Sequence, residues 1–142
     1  MGKIDANTAF NTVSLAIHNA FPQAHIYSED VEMELCAGDF CLIMPNMDTS
    51  SEIGSRCKKS YILDCVYYPP HTKPREDCRR VSEILFRILP SMTASDGTVL
   101  HGDSISASIV DGLLHVSVTV RGFTYVSSQA DEMEVLSIEG KE

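Results

Sequence analysis

The sequence predicts an α+β domain. A mostly antiparallel β-sheet carries two α-helices on one face, with elements in the order α-β-β-β-α-β-β-β. Three observations carry this. Two segments repeat apolar residues at the spacing of a helix, each stopped by a proline. Other segments alternate apolar and polar residues with the period of two of a half-buried strand. Asp111-Gly112 stands between two such segments, the pair preferred in a type I′ hairpin turn.

Phe10, Val13, Ile17 and Phe21 recur at helical spacing with Ala20 beside them, placing a first helix at residues 7–20. Asp5 or Asn7 suits its cap, and Pro22 ends the pattern. Residues 24–28 form a short strand, and the acidic stretch 29–34 either extends it or loops out. After Gly38, residues 39–44 (D-F-C-L-I-M) are apolar on both faces and read as a buried strand closed by Pro45. Residues 46–55, polar and serine-rich with Gly54 near the end, read as a loop or hairpin tip. Residues 59–68 alternate, with Tyr61, Leu63, Cys65 and Tyr67 on one face and Ser60, Ile62, Asp64 and Val66 on the other. Pro69-Pro70 stops this strand.

The second helix has one apolar stripe: Cys78, Val81, Ile84, Leu85, Ile88 and Leu89. Thr72 is its expected cap, Pro74 fits the first turn, and Pro90 terminates it. Glu76–Arg80 and Glu83–Arg87 are spaced as i,i+4 ion pairs with the acid first. A turn at Asp96-Gly97 leads to a short strand at 98–100, and Gly102 marks a break. Residues 104–110 alternate Ile105, Ala107 and Ile109 against serines. The return strand, 114–125, points Val116, Val118 and Val120 inward and Ser117, Thr119 and Arg121 outward. Gly122 shifts this alternation to Phe123 and Tyr125, the signature of a bulge or bend. With no internal repeat or linker, residues 1–126 read as a single domain and residues 127–142 as an acidic, mobile C-terminal arm.

A chain of 142 residues, 44% hydrophobic and 22% charged, is long enough to bury its own core without a metal or disulfide staple. Its apolar runs fall short of the ~20 residues of a membrane span, and its N-terminus lacks the layout of a signal peptide. A cytoplasmic site of synthesis follows. Five cysteines without C-x-x-C spacing then read as free thiols. The net charge of −9 argues against duplex DNA readout, which needs a basic footprint. That charge is uneven. Eight of the eleven Lys and Arg lie between Arg56 and Arg87, while residues 27–52 hold seven acids and no base. Such polarity suits head-to-tail contact between copies or contact with a charged partner, and equally a solvated acidic surface.

Chemistry-bearing motifs are weak. Gly102-Asp103-Ser104-Ile105 superficially matches the start of a serine esterase family, but only His115, with Asp111, lies downstream, across a hairpin turn. A nucleophilic serine needs a base within hydrogen-bond reach. The cysteines and His18, His25, His71, His101 and His115 lack metal-ligand spacing. No phosphate-cradling glycine loop occurs, and the paired acids Glu32/Glu34 and Asp131/Glu132 lie in exposed-type segments with nothing to raise their pKa. Tyr67, Tyr68 and Tyr125 near Arg56, Lys58 and Lys59 could stack RNA bases, but the overall charge opposes it. The reading is of a protein without catalysis, cofactor or metal.

A succession of blocks carries a family resemblance. Ile26-Tyr27-Ser28-Glu29 follows the first helix. The strand at 59–69 ends Val66-Tyr67-Tyr68-Pro69, and the second helix reads C-R-R-V-S-E-I-L-F-R-I-L. Last come G-T-V-L-H-G and I-V-D-G-L-L-H-V. This order, over about residues 7–126, resembles the tail-terminator (tail completion) proteins of phages and prophages of Gram-positive bacteria. One departure is Gly38-Asp39-Phe40-Cys41, where relatives carry a proline-led P-C-F-F-like run. The resemblance implies a structural virion protein, made in the host cytoplasm. It would form a ring, usually of six copies, that caps the head-proximal end of the tail tube. Its partners would be itself, the tube protein and the head–tail connector, with no sequence-specific nucleic acid and no membrane. Stacked tube subunits form an open polymer, so a cap must match the exposed tube face and present a different one outward. The loop at 46–59, with Arg56, Lys58 and Lys59, and the acidic arm, with Asp131, Glu132 and Glu134, are the expected assembly contacts, being polar and opposite in charge. The alternatives are another neck or tail-completion subunit, a small acidic adaptor or toxin-neutralising protein, and a small hydrolase using Ser104 or Cys57.

Overall fold

A computed structural model of the chain describes residues 4–28, 36–51, 54 and 56–125. The acidic stretch 29–34 and the expected C-terminal arm lie outside these residues. The elements are α1 (Ala6–Ala20), β1 (Ile26–Ser28), β2 (Phe40–Ser51), β3 (Arg56–Tyr67), α2 (Pro74–Ile88), β4 (Met92–Thr93), β5 (Val99–Leu100), β6 (Gly102–Val110) and β7 (Leu113–Tyr125). The expected order holds, with the two-residue β4 added; it pairs with β5 as a small antiparallel ribbon. The main sheet has the order β1-β2-β3-β7-β6. Only β1 and β2 run parallel.

The expected inward faces meet in one core. Leu63, Cys65, Tyr61 and Tyr67 of β3 and Val116, Val118 and Val120 of β7 are buried against Val13 and Ile17 of α1 and Cys78, Val81 and Leu85 of α2. Burying each large aliphatic side chain contributes about 1.5–3 kcal/mol, so this shared face is what holds the helices to the sheet. Asp5 caps α1, its carboxylate accepting from the Thr8 N–H at 2.8 Å. The same hydrogen bond lowers the Asp5 pKa.

Several local expectations are corrected. Pro45 does not end its strand. β2 continues to Ser51, and the register against β3 breaks between Ile43 and Asn46 and then resumes from Asn46 opposite Ile62 to Ser51 opposite Cys57. Proline is tolerated in a strand where a bulge removes the need for its missing N–H. The expected loop at 46–55 is therefore largely a two-stranded arm, and β3 begins at Arg56 rather than Lys59. Thr72 is not the cap of α2. Lys73 holds that position with φ 49° and no side-chain cap bond, ahead of Pro74 in the first turn. Arg80 pairs with Asp77, three residues before it, rather than with Glu76.

The two glycines near the sheet act by close approach. Gly102 is no break but the first residue of β6, and its N–H donates to the Leu89 carbonyl at 3.1 Å. A Cβ there would lie 2.5 Å from that oxygen, so the absent side chain lets the end of α2 rest on the sheet. Gly122 makes no bulge. The β3–β7 register runs unbroken past it, and a Cβ would meet Ile4 at 2.2 Å. The register shift in this hairpin falls instead in β6, between Asp103 and Ser106, where Ser104 has φ 52°. The turn itself is as expected, with Asp111 at φ 53° and Gly112 at φ 78°.

Candidate assembly surface

The sheet leaves two outer strands among the described residues, β1 on one side and β6 on the other. The β6 side is the more apolar. Ile105 still packs on the core, but Ala107 and Ile109, expected on the inward face, lie beyond the cover of the helices. Ile109 is 42% exposed and Val110 49%. Opposite Ile109, α2 presents Phe86, 37% exposed. Between them runs an open groove of about 450 Å³, lined by Cys78, Arg79, Ser82, Phe86, Ile109 and Leu114 among others. The sequence reading missed this groove. Its signals were Phe86, off the main helical stripe, and the apolar pair Ile109-Val110 directly before the turn.

Of the expected contact residues, Arg56, Lys58 and Lys59 are half-buried at the start of β3. They face the β2 half of the arm, where Lys59 stands opposite Thr49 and Lys58 opposite Ser50. The structure thus puts these bases on a paired, ordered strand rather than in a loop. Met47, on the same arm, is 59% exposed. Asp131, Glu132 and Glu134, the other expected contact residues, lie outside the described residues.

Two polar clusters fix the scaffold. The Tyr67 hydroxyl donates to Asp77 Oδ2, and Arg80 holds the other oxygen of Asp77 through Nη2 at 2.8 Å and Nε at 3.1 Å. This ties the end of β3 to the first turn of α2. Burial and the bond to Asp77 push the Tyr67 pKa up. Just before β2, Asp39 accepts from the His25 and Cys36 N–H groups, both at 3.2 Å, and so holds the entry to that strand.

Ser104 and His115 are not brought together. Ser104 is exposed in the β6 bulge, while His115 stands opposite Ser108, about four rungs or roughly 13 Å further along the ladder. His115 Nδ1 lies 3.0 Å from Asp64 Oδ2 on the sheet face away from the helices. Among the described residues no group of three or more His, Cys, Asp or Glu could hold a metal ion. Cys65 and Cys78 are buried as expected, and burial pushes the Cys65 thiol up to about 12. Cys57 is half-buried on β3. No described helix is long and apolar enough to cross a membrane.

The domain thus presents an exposed apolar edge and an extended two-stranded arm. The chain matches the family model described as phage tail terminator protein over residues 10–133 and belongs to that family. It is a structural tail protein of a bacteriophage, and the family is not catalytic. The match bears out the tail-terminator part of the resemblance read from the sequence, without its Gram-positive origin, and runs beyond residue 126, where the sequence reading ended it. A search of curated proteins finds no match. One similar solved structure shares 10% identity, covers 84% of this chain and 91% of its own, and gives a TM-score of 0.45.

Proposed function

We propose that this protein closes into a ring, of six copies by the family's habit, that caps the head-proximal end of a phage tail tube. The ring stops tube growth and joins the tube to the head connector. The observation that carries this is family membership across residues 10–133. The architecture supports it. The sheet's two outer strands, β1 and β6, lie on opposite sides and differ in sequence, as heterologous side contacts around a closed ring require. In this reading the arm formed by the end of β2 and the start of β3, with Arg56, Lys58 and Lys59, and the acidic residues Asp131, Glu132 and Glu134 make assembly contacts. Residues 1–126 act as the domain and 127–142 as an arm, in the virion and in the host cytoplasm during assembly.

The test is electron microscopy with light scattering of the protein mixed with its own purified tail-tube protein. Tubes capped at one end and arrested in growth are expected. Tube polymerisation unaltered, with no co-sedimentation, would sink the terminator role in favour of a neighbouring neck or tail-completion position.

A further inference from the structure

The β6 edge and the groove beside it leave apolar surface uncovered among the described residues. Strand β6 is paired only with β7, so alternate N–H and C=O groups along its outer edge have no ladder partner among the described residues. The end of that edge nearest the turn is apolar on both faces, with Ile109 exposed toward the helices and Val110, preceded by Ser106 and Ser108, exposed on the opposite face. A strand that covered it well would also be apolar on both faces. Within the seventeen residues that follow Tyr125, residues 133–138 read M-E-V-L-S-I. In an extended chain Met133 and Val135 fall on one face, Leu136 and Ile138 on the other. Acids flank this block at Asp131, Glu132 and Glu139. On the groove wall Arg79 is exposed, with Arg75 one turn before it, and neither forms an ion pair among the described residues. Glu83 is the one acid on that wall.

We propose that residues 131–139 of one copy add as a β-strand to the free edge of β6 in a neighbouring copy. One apolar pair seats against Phe86 and Ile109, the other covers Val110, and the flanking acids approach Arg75 and Arg79. This is β-augmentation, in which main-chain hydrogen bonds hold the strand and alternate side chains give the fit. Reach favours a neighbour over the chain's own tail. Leu114, in the groove, and Tyr125, at the end of β7, are eleven residues apart along one strand, roughly 36 Å. From Tyr125 the eight residues to Met133 span at most about 29 Å and the eleven to Leu136 at most about 40 Å, so a tail that reversed at once brings only Leu136 and Ile138 level with its own groove, whereas a neighbour's tail can seat the whole block. The proposal rests on the self-association in the ring reading and names its contact.

The test uses the full chain carrying the photo-crosslinker p-benzoylphenylalanine at Leu136, mixed with isotope-labelled chain. It is irradiated both as concentrated free protein and on tubes. Crosslinks from position 136 to the Phe86 or Ile109 peptides, joining labelled to unlabelled chains, are expected. Crosslinks within one chain only, crosslinks elsewhere, or none in either sample would overturn the proposal. In parallel, the double variant Val135→Asp, Leu136→Asp is expected to weaken self-association about tenfold or more by sedimentation, with the melting temperature of the monomer unchanged. Unchanged association would count against the docked strand. Capped tubes without the inter-copy crosslink would leave the terminator role standing and remove this contact. The crosslink without tube capping would do the reverse.

Discussion

The Gly102→Ala substitution tests how α2 is seated on the sheet. An added Cβ would lie 2.5 Å from the Leu89 carbonyl oxygen and 2.7 Å from Val118 Cγ2. The first obstacle is main chain at the end of a helix whose residues Val81, Leu85 and Leu89 are fully buried. It cannot rotate aside, so the helix terminus must lift from the sheet. That movement also stretches the Gly102 N–H bond to Leu89. Overpacking of this kind costs about 1–3 kcal/mol. For a chain of this size the melting temperature should fall by roughly 3–12 °C. Gly122→Ala provides the contrast, because its Cβ meets only the Ile4 side chain, at 2.2 Å, near the start of the described residues. A side chain there can yield, so the double variant Ile4→Ala, Gly122→Ala should cost less than the two single changes added together. Thermal and urea unfolding followed by circular dichroism measure both. A Gly102→Ala protein that melts within about 1 °C of the parent, or one that is more stable than Gly122→Ala, would refute the close-approach account.

Three further outcomes are expected. Tyr67→Phe removes the hydroxyl that donates to Asp77 and should cost about 1.5–3 kcal/mol in urea unfolding, as for a hydrogen bond to a charged group. Gly112→Ala places a Cβ at φ 78° in the hairpin turn and should cost about 1–2 kcal/mol, read from the shift in urea midpoint at constant slope. The buried Cys65 thiol is raised from 9.0 to about 12, so the folded protein holds this proton more tightly than the unfolded chain. Its contribution is complete below pH 9 and is lost as pH rises from 9 toward 12, so stability falls over that window. Cys65→Ala, though less stable overall, should show a shallower alkaline decline, and an unchanged pH slope would rule out this thiol as its source.

The sequence by itself determined the elements and their facing. The stripes of α1 and α2, the alternation of Tyr61, Leu63, Cys65 and Tyr67, and the Asp111-Gly112 turn depend on neighbours a few residues away, so their periodicity can be read directly. The family likeness was legible for the same reason, as an ordered series of such blocks, and the family match supports it. What only the tertiary structure decided involves residues distant in the chain. Pro45 signalled a stop, yet the pairing with β3 carried β2 through it, because a bulge spares the ladder the missing N–H. Gly102 and Gly122 signalled a break and a bend, yet Leu89 and Ile4, remote in sequence, show them to be points of close approach. The Ile105, Ala107, Ile109 alternation promised a buried face, but it falls on an outer strand past the reach of α2, so the same pattern that elsewhere makes core here makes an exposed edge. A local pattern tells which side chains seek cover; only the packed sheet decides where cover runs out.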